Sequence, residues 1–318
     1  MDVLSGFLPI WAITAAGWAA GRLDVLGGQA QFVLARFAFA FAMPALLFLT
    51  LSRAGLSRLA TPGVAVFALS LLLMFAAGLL LGRRVFRRRP ADRAIGAMAG
   101  SYVNSANLGI PVAVQLLGDA SFVIAAALFQ TLFVTPVIIA LIELDTGGER
   151  RRPLRLLLLP LRNPVIAASA AGTAVAALGL RLPPEATAPV EMLGGAAVPA
   201  ALFALGLSLN GRTDKARAPD SGEPAQPAAG ARRAERYVLV LMKTVVHPLL
   251  AYVLARWVFR LDGHELFAVV LCAGLPTAQN AFVYAAEYRL DTGLVRDAVL
   301  LSTVLSTASL SAIAWLLA

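Results

Sequence analysis

Long uninterrupted apolar runs are the feature of this sequence that most restricts its fold. A run of about 18 or more apolar residues can cross the hydrocarbon core of a bilayer as a helix. Of the 318 residues, 59% are hydrophobic and only 14% are charged, whereas soluble domains are about 45–50% apolar and about 25% charged. We therefore predict an all-α membrane protein. Ten spans are expected, at residues 3–21, 31–51, 62–82, 94–117, 121–142, 164–180, 189–209, 237–259, 265–288 and 297–317.

Positive charge is divided unevenly between alternate loops. One set of alternate loops holds 20 Lys and Arg residues, and the opposite set holds five. By the positive-inside rule the first set faces the cytoplasm, so both termini are expected outside. Topology thus accounts for the net charge of +9, and no nucleic-acid partner is expected. The first span has no positive n-region and is read as retained, in a multi-pass protein of the cell (inner) membrane.

The two halves of the chain resemble one another. "PIWAITAAGWA" (Pro9–Ala19) aligns with "PVIAASAAGTA" (Pro164–Ala174) at an offset of 155, and the same offset aligns "AMPALLF" with "AVPAALF". Farther along, an offset of 173 pairs Asn107 with Asn280. Each half holds five spans, and an odd number inserts the second half upside down. Inverted repeats of this kind are typical of secondary transporters.

These repeats define the predicted organisation of the chain. The first five-helix repeat covers residues 1–145, a cytoplasmic linker covers 146–163, and the second repeat covers 164–318. Residues 211–236 are rich in Pro, Ala, Gly and charge without apolar periodicity. Such a composition is typical of disorder, so this segment is expected to be a disordered cytoplasmic loop.

Spans four and nine carry helix-breaking and amide residues at mid-depth. Proline removes a backbone donor and disturbs the preceding turn, so we expect both helices to open and to cross there. Opened backbone in a membrane must line a polar cavity or lie buried in protein, and the restarting helix ends would favour an anion. The alternative is that Pro and Gly only kink these helices while Asn joins neighbouring ones. The helix-break residues are Gly109, Pro111, Gly274 and Pro276.

Short motifs on several spans resemble the auxin efflux carrier family of membrane transporters. They are "RFAFAFAMP" (Arg36–Pro44), "NSANLGIP" (Asn104–Pro111) with Gly118 and Asp119, "LRNP" (Leu161–Pro164), Lys243 five residues before Pro248, and "LPTAQNAFVYAAEY" (Leu275–Tyr288). Two features depart from the plant members of the family. The longest cytoplasmic loop follows span seven instead of span five, and span three lacks an Asp and a Lys.

The resemblance implies a crossover fold with two groups of helices. Helices 1, 2, 6 and 7 would form a scaffold and homodimer domain, and helices 3–5 and 8–10 a transport domain. Transport of a small organic anion, a carboxylate, would follow an elevator-type mechanism with the substrate at the crossing of helices four and nine. Carried over from the family, the substrate-binding residues are Asn104, Asn107, Gln130, Gln279 and Asn280.

Three charged or titratable residues are candidates for coupling. Lys243 and His247 share one face of span eight because they are four residues apart. They either provide counter-charge to a carboxylate or have structural roles, with Lys243 snorkelling to the cytoplasm and His247 bonding a neighbouring helix. Glu287 lies seven residues after Asn280. It is either a proton or cation site or the partner of Arg289.

Other classes of function are less compatible with the sequence. Two histidines and one cysteine offer no metal-ligand spacing or catalytic triad, so we expect no enzyme, no metal and no cofactor. A channel or a membrane-embedded sensor could use the same fold without coupled transport. The preferred interpretation is a carrier whose partners are its substrate and the lipid bilayer.

Overall fold

A computed structural model describes residues 3–53, 61–146, 164–180, 182–210 and 229–317. Within these ranges the chain is helical, with a single isolated antiparallel bridge. Six helices are long and apolar enough to cross a membrane, at Ala30–Ser52, Pro62–Arg84, Ser121–Thr146, Pro184–Ser208, Gly230–Val258 and Thr292–Leu317. The all-α class is thus confirmed for the described residues, while the count of ten spans stays a prediction.

The helices are numbered here in chain order. They are α1 (Val3–Arg22), α2 (Ala30–Phe37), α3 (Met43–Ser52), α4 (Pro62–Arg84), α5 (Pro90–Ser101), α6 (Ile110–Leu117), α7 (Ser121–Phe129), α8 (Thr135–Thr146), α9 (Pro164–Ala177), α10 (Pro184–Gly195), α11 (Ala197–Ser208), α12 (Ala229–Leu241), α13 (His247–Val253), α14 (Gly263–Gly274), α15 (Asn280–Glu287) and α16 (Thr292–Leu317). The predicted spans 3–21 and 164–180 fall on α1 and α9. Those at 94–117 and 265–288 each fall on two shorter helices.

Prolines shape four of these segments. A π-helical turn ends two residues before each of Pro44, Pro111, Pro136 and Pro248. Proline cannot donate a backbone hydrogen bond and its ring crowds the carbonyl four residues earlier. The wider π turn relieves this crowding, and the residue before the proline donates to the carbonyl five residues back, as His247 does to Met242. The chain therefore stays helical through each proline.

Two helix pairs make the same contact in the two halves of the chain. α1 packs on α11, and α9 packs on α3. A Cβ atom on Gly17 would overlap the carbonyl oxygen of Phe203, and one on Gly172 would lie 2.6 Å from the carbonyl oxygen of Phe48. The offset of 155 places Gly17 on Gly172 and Phe48 on Phe203. An internal twofold relation between the halves would produce this pair of contacts.

The other helices pack around α5 and α14. α4 contacts both of them, α8 packs on α5, and α13 and α16 pack on α14. We call α1–α3 and α9–α11 the first helix group, and α4–α8 and α12–α16 the second. Buried apolar side chains from both groups share one core, which includes Phe39 of the first group and Phe67 and Phe282 of the second. This arrangement places the C-terminal ends of α5 and α14 in the interior of the protein.

A buried ion network lies at the start of α12. Arg88 bonds Glu235 at 2.6 Å and Asp291 at 3.2 Å, and Arg232 bonds Asp291 at 2.8 Å. Because α12 begins at Ala229, the expected disordered loop 211–236 is wrong for residues 229–236. These ion pairs give the polar residues of the segment tertiary partners that composition cannot reveal. Residues 211–228, and 147–163 of the expected linker, lie outside the described residues.

Candidate functional site

The two expected breaks lie opposite one another in the structure. α5 ends at Ser101 and the chain is extended at Tyr102, while α14 ends at Gly274 and the chain is extended at Leu275. The N–H of Asn104 donates to the carbonyl of Pro276 at 2.8 Å, and the N–H of Ala278 donates to the carbonyl of Tyr102 at 3.3 Å. The opened segments therefore satisfy each other's backbone, as an interruption inside a membrane requires.

The pairing of the two segments follows the internal repeat. Val103 and Thr277 face one another in an antiparallel bridge. The offset of 173 places Val103 on Pro276 and Asn104 on Thr277. Exchanging the two halves therefore turns the pair of Val103 and Thr277 into the pair of Pro276 and Asn104. These two residues are also hydrogen-bonded, so the pairing follows the symmetry of the repeat.

Glycine and proline contribute differently to the two breaks. A Cβ atom on Gly109 would lie 2.7 Å from the side chains of both Leu275 and Val123, so a close approach between the segments depends on this glycine. The expected break at Gly109 and Pro111 is wrong, because Gly109 lies in the π turn Ser105–Gly109 and Pro111 lies in α6. The π turn accommodates the proline, and the chain opens before both residues, at Tyr102. Gly274 is the last residue of α14, and Pro276 supplies the carbonyl that accepts from Asn104.

Gln130 supports the first break from span five. Its Oε1 accepts from the N–H of Val103 at 2.8 Å, and its Nε2 donates to the carbonyl of Val103 at 3.3 Å and to Ser105 Oγ at 3.1 Å. The side chain is fully buried and lies outside the lining of the neighbouring cavity. Gln130 thus holds the opened backbone in place, in contrast to the direct contact with substrate that the family resemblance implies.

Thr277 supports the second break in a similar way. Its Oγ1 donates to the carbonyl of Ala99 at 2.6 Å, and its N–H donates to Ser302 Oγ at 3.1 Å. Both residues are fully buried. One side chain from span five and one from span ten therefore take up backbone groups that the two interrupted helices leave free.

A cavity lies where the paired segments meet α3 and α11. It encloses about 600 Å³ of empty space, a volume that includes the open mouth. Its lining consists of Met43, Leu46, Leu47, Thr50, Tyr102, Val103, Asn104, Ser105, Ala127, Thr131, Ala197, Val198, Ala278, Gln279 and Asn280. Both helix groups therefore contribute to one site.

Three of the five predicted binding residues line this cavity. They are Asn104, Gln279 and Asn280, and the side chain of Asn107 lies outside the described part of the structure. Gln279 is only 2% exposed, and its Oε1 has no hydrogen-bond partner among the described residues. A buried amide oxygen without a partner is unfavourable. Gln279 is therefore the polar group of the wall that most needs a ligand or water.

Several residues that line the cavity carry no signal in the sequence. Thr50 is the polar residue among those of α3 that line the cavity, and its hydroxyl donates to the carbonyl of Leu46 at 2.8 Å. Ser105 and Thr131 are buried polar residues of the cavity wall. A hydroxyl residue within an apolar helix gives no signal of its own, because it usually bonds to its own backbone. Among these residues, only Ser105 could have been suspected from the sequence, because it directly follows Asn104 in the repeated motif.

Lys243 and His247 lie in the interior of the second helix group. Both are fully buried, so the expected snorkelling of Lys243 is wrong. Lys243 Nζ donates to the carbonyl of Ala273 at 2.7 Å and contacts His247 Nδ1 at 3.2 Å. The expected bond of His247 to a neighbouring helix is present, since His247 Nε2 lies 3.3 Å from Ser70 Oγ on α4. Span eight is thus tied to the end of α14.

Glu287 lies at the other end of α15 from the cavity. Its Oε2 is buried and has no hydrogen-bond partner among the described residues. The expected ion pair with Arg289 is not formed in the described part of the chain, because Arg289 sits in a left-handed turn after α15 and is exposed. Glu287 is therefore a half-buried acid without an arginine partner.

Comparison with known proteins finds similarity along the whole chain. The model of a family described as "Membrane transport protein" matches residues 2–314. A protein of Rhizobium meliloti (strain 1021) described as "Putative malonate transporter" is 29% identical over 324 residues, covering 98% of this chain and 94% of the relative. An "Uncharacterized transporter" of Methanothermobacter thermautotrophicus (strain Delta H) is 30% identical over 313 residues, covering 95% and 94%. "Uncharacterized transporter YfdV" of Escherichia coli (strain K12) is 22% identical over 304 residues, covering 91% and 89%.

Proposed function

The chain belongs to the membrane transport protein family, the auxin efflux carrier family that its motifs resemble, and from this premise we propose that it is a secondary transporter of a small organic anion. The substrate binds in the cavity between the paired segments and α3. Small carboxylates are the substrate class, and the cell membrane is the site of action.

The observation that carries this proposal is the amide-lined cavity at the crossing. Asn104, Gln279 and Asn280 line it, and the Oε1 of Gln279 has no hydrogen-bond partner in the described part of the chain. The oxygen and nitrogen of an amide can exchange places by rotation, so each of these side chains can turn an N–H towards a carboxylate. The wall also contains the first residue of α15, Asn280, and the N-terminal end of a helix favours negative charge.

The name of one relative supplies the first substrate to test. The Rhizobium meliloti protein is described as a transporter of malonate, a dicarboxylate of three carbons. A small dicarboxylate suits the chemistry of the three amide side chains that line the cavity. Malonate is therefore the first probe, with other mono- and dicarboxylates as comparisons.

The lining of the cavity also supports an elevator-type mechanism. Met43 and Thr50 on α3 and Ala197 on α11 belong to the proposed scaffold, whereas Asn104 and Asn280 belong to the proposed transport domain. A movement of one helix group along the other would carry the amide residues away from the α3 wall. That movement would open the cavity to the other side of the membrane. The scaffold would also form the interface of a homodimer.

Flux measurements test the proposed function. Purified protein in liposomes should take up labelled malonate with saturation, and Asn280→Ala should reduce the initial rate at least tenfold. Asn210→Ala is the matched control, because Asn210 lies outside the crossing and bonds the carbonyl of Trp18; its rate should equal that of the wild type. Flux without saturation would favour a channel, and specific binding without flux would favour a sensor.

A further inference from the structure

Lys243 is a cation in an unusual position. It is fully buried, and its two bonded neighbours are the carbonyl of Ala273 and the imidazole of His247. No acidic side chain of the described residues lies within ion-pair distance of its ammonium group. Buried charges are normally paired, because transfer of an unpaired ion from water to protein interior is very unfavourable. Among the residues that the structure describes, the charge on Lys243 therefore has no counter-ion.

The hydrogen bonds around Lys243 define which groups carry protons. Ser70 donates its hydroxyl to the carbonyl of Phe67 at 2.8 Å, so Ser70 Oγ accepts from the Nε2–H of His247. The Nδ1 atom of the neutral ring then accepts from Lys243. Lys243 needs only two N–H groups for its two bonds. A neutral amine has two and an ammonium has three, so this network persists whether or not Lys243 holds its extra proton.

The titratable side chains nearest to Lys243 in the described structure are those of Cys272 and His247. Cys272 is buried and directly precedes Ala273, and His247 is already assigned as neutral. On the elements packed against this part of span eight, no other charged or titratable side chain of the described residues forms a hydrogen bond or ion pair with Lys243. These side chains are Arg83, Arg84, Asp92, Arg93, Tyr102, Arg232, Arg233, Glu235, Arg236, Tyr237, Tyr252, His264, Glu265, Arg296 and Asp297. Lys243 is therefore the group in this interior whose charge can change without breaking a bond.

Lys243 also lies close to the proposed substrate site along the chain. Its acceptor, Ala273, precedes the cavity residue Ala278 by five positions, and an extended chain spans at most about 3.3–3.6 Å per residue, or roughly 17 Å here. Within the protein interior, opposite charges attract more strongly than they do in water at the same separation. An anion in the cavity would therefore favour the charged form of Lys243.

We infer that Lys243 is the proton-binding residue of this carrier, and that it takes up one proton when an anionic substrate enters the cavity. The inference rests on the proposed function, because it requires an anion at the crossing. Linkage is reciprocal, so protonation of Lys243 strengthens anion binding by the factor by which the anion favours protonation. The proton comes from the side of entry, binds the free electron pair of Nζ, and leaves with the anion on the other side.

Calorimetry tests this inference with the wild-type protein alone. Malonate is titrated into purified protein at pH 7.5 to 9, where carboxyl groups are ionised, in two buffers with different enthalpies of ionisation. The difference between the two measured heats gives the number of protons bound per malonate. We expect a value that approaches one as the pH rises, with an affinity that weakens about fivefold or more across this range.

Two variants assign the proton to Lys243. Lys243→Met keeps a chain of similar length without charge, and Lys243→Arg keeps a permanent charge. We expect both to bind malonate without proton uptake and with an affinity that does not change with pH. Lys215→Met, at the only other lysine of the sequence, is the matched control and should behave as the wild type.

The possible failures can be told apart. Malonate binding by the wild type without proton uptake would overturn the inference and leave the proposed function standing, as would proton uptake that persists in Lys243→Met. Absence of malonate binding in any of these buffers would overturn the proposed substrate, and the inference with it. The wild-type proton count decides the question even where a variant fails to fold.

Discussion

At the scale of single residues, similar amide side chains have different roles. Gln130 makes three hydrogen bonds to Val103 and Ser105. Gln279, in the cavity wall, has a side-chain oxygen that finds no hydrogen-bond partner among the described residues. The residue type therefore does not determine the role. What separates the two glutamines is whether opened backbone lies within reach of the amide, because a buried backbone group takes whichever partner is available.

Substitution of Gln130 should reduce both stability and transport. Gln130→Ala leaves the N–H of Val103 buried without a partner, and each such group costs about 1–3 kcal/mol of free energy of unfolding. We expect a lower midpoint of thermal unfolding in detergent and a lower rate of malonate uptake. Gln115→Ala, at an exposed position of α6, is the matched control and should change neither quantity. An unchanged midpoint for Gln130→Ala would contradict the positioning role.

At the scale of helices, contacts between elements decide where each one begins, ends and packs. α12 starts at Ala229 within a polar segment because Arg232 and Glu235 find partners on other elements. α16 starts next to Asp291, whose Oδ1 accepts from the N–H of Leu294. One carboxylate thus caps a helix and also joins an ion network. Local helix propensity does not predict that one residue has both roles.

The substitution Asp291→Asn should separate the effect of the negative charge on stability from the effect of capping α16. Burial acts to raise the pKa of the Asp291 carboxyl, but bonds from Arg232 and Leu294 and the charges of Arg232 and Arg88 outweigh it, so the pKa lies below its usual 3.8. A carboxylate with a lowered pKa stabilises the fold above the unfolded-state pKa, and this stabilisation is lost as the pH falls through the folded-state value.

The variant should therefore be less stable at neutral pH. Asn retains an oxygen to cap α16, while loss of one partner from a buried ion pair costs about 3–5 kcal/mol. We expect a lower unfolding midpoint at pH 7 and a difference from the wild type that shrinks below about pH 4. Asp262→Asn, at an exposed residue without a side-chain cap bond, is the control. A pH-independent difference would show that the charge of Asp291 is not responsible.

Glycine contacts between helices should be equally sensitive in both halves. Gly17 and Gly172 face the carbonyl oxygens of Phe203 and Phe48, so Ala at either position pushes two helices apart. We expect each variant to lower the unfolding midpoint, because strained packing typically costs about 1–3 kcal/mol. Gly195→Ala has no atom within 4 Å of the added Cβ and serves as the control. A large effect at only one of the two glycines would contradict an equivalent role of the two contacts.

At the scale of the whole molecule, the cavity that we propose as the substrate site belongs to neither helix group alone. Asn104 and Asn280 come from the paired breaks, and Met43, Thr50 and Ala197 come from α3 and α11. A site divided between two bodies changes shape when one body moves against the other. This division is the physical reason to expect alternating access. The topology that the arginine distribution predicts then tells which side of the membrane each opening faces.

Labelling of single cysteines tests that topology. In a Cys272→Ala background, Leu180→Cys follows α9 and Val85→Cys follows α4, and both positions are exposed at 54% and 60%. A membrane-impermeant maleimide should label Leu180→Cys in intact cells and Val85→Cys only after permeabilisation. The two variants act as controls for each other. The reverse pattern would place the arginine-rich loops outside and contradict the predicted orientation.

The sequence by itself determined the features that depend on local composition and on repeat position. Apolar runs, whose need to avoid water is a property of each segment, indicated an all-α membrane protein. Gly274 and Pro276 indicated a helix interruption because proline has no backbone donor at any position. The motif from Asn104 to Pro111 indicated the family, and the residue types of Asn104, Gln279 and Asn280 indicated a polar site.

Only the tertiary structure decided how those residues are used. It assigned Gln130 to the broken backbone, where the family resemblance implied contact with substrate. It buried Lys243 against Ala273, where the sequence allowed either a counter-charge to substrate or snorkelling. It also extended α12 back to Ala229 through ion pairs with distant residues. Each of these outcomes depends on groups far apart in the chain competing for the same buried hydrogen-bonding and charged partners. Such competition is resolved by packing, and no local pattern of residues encodes its result.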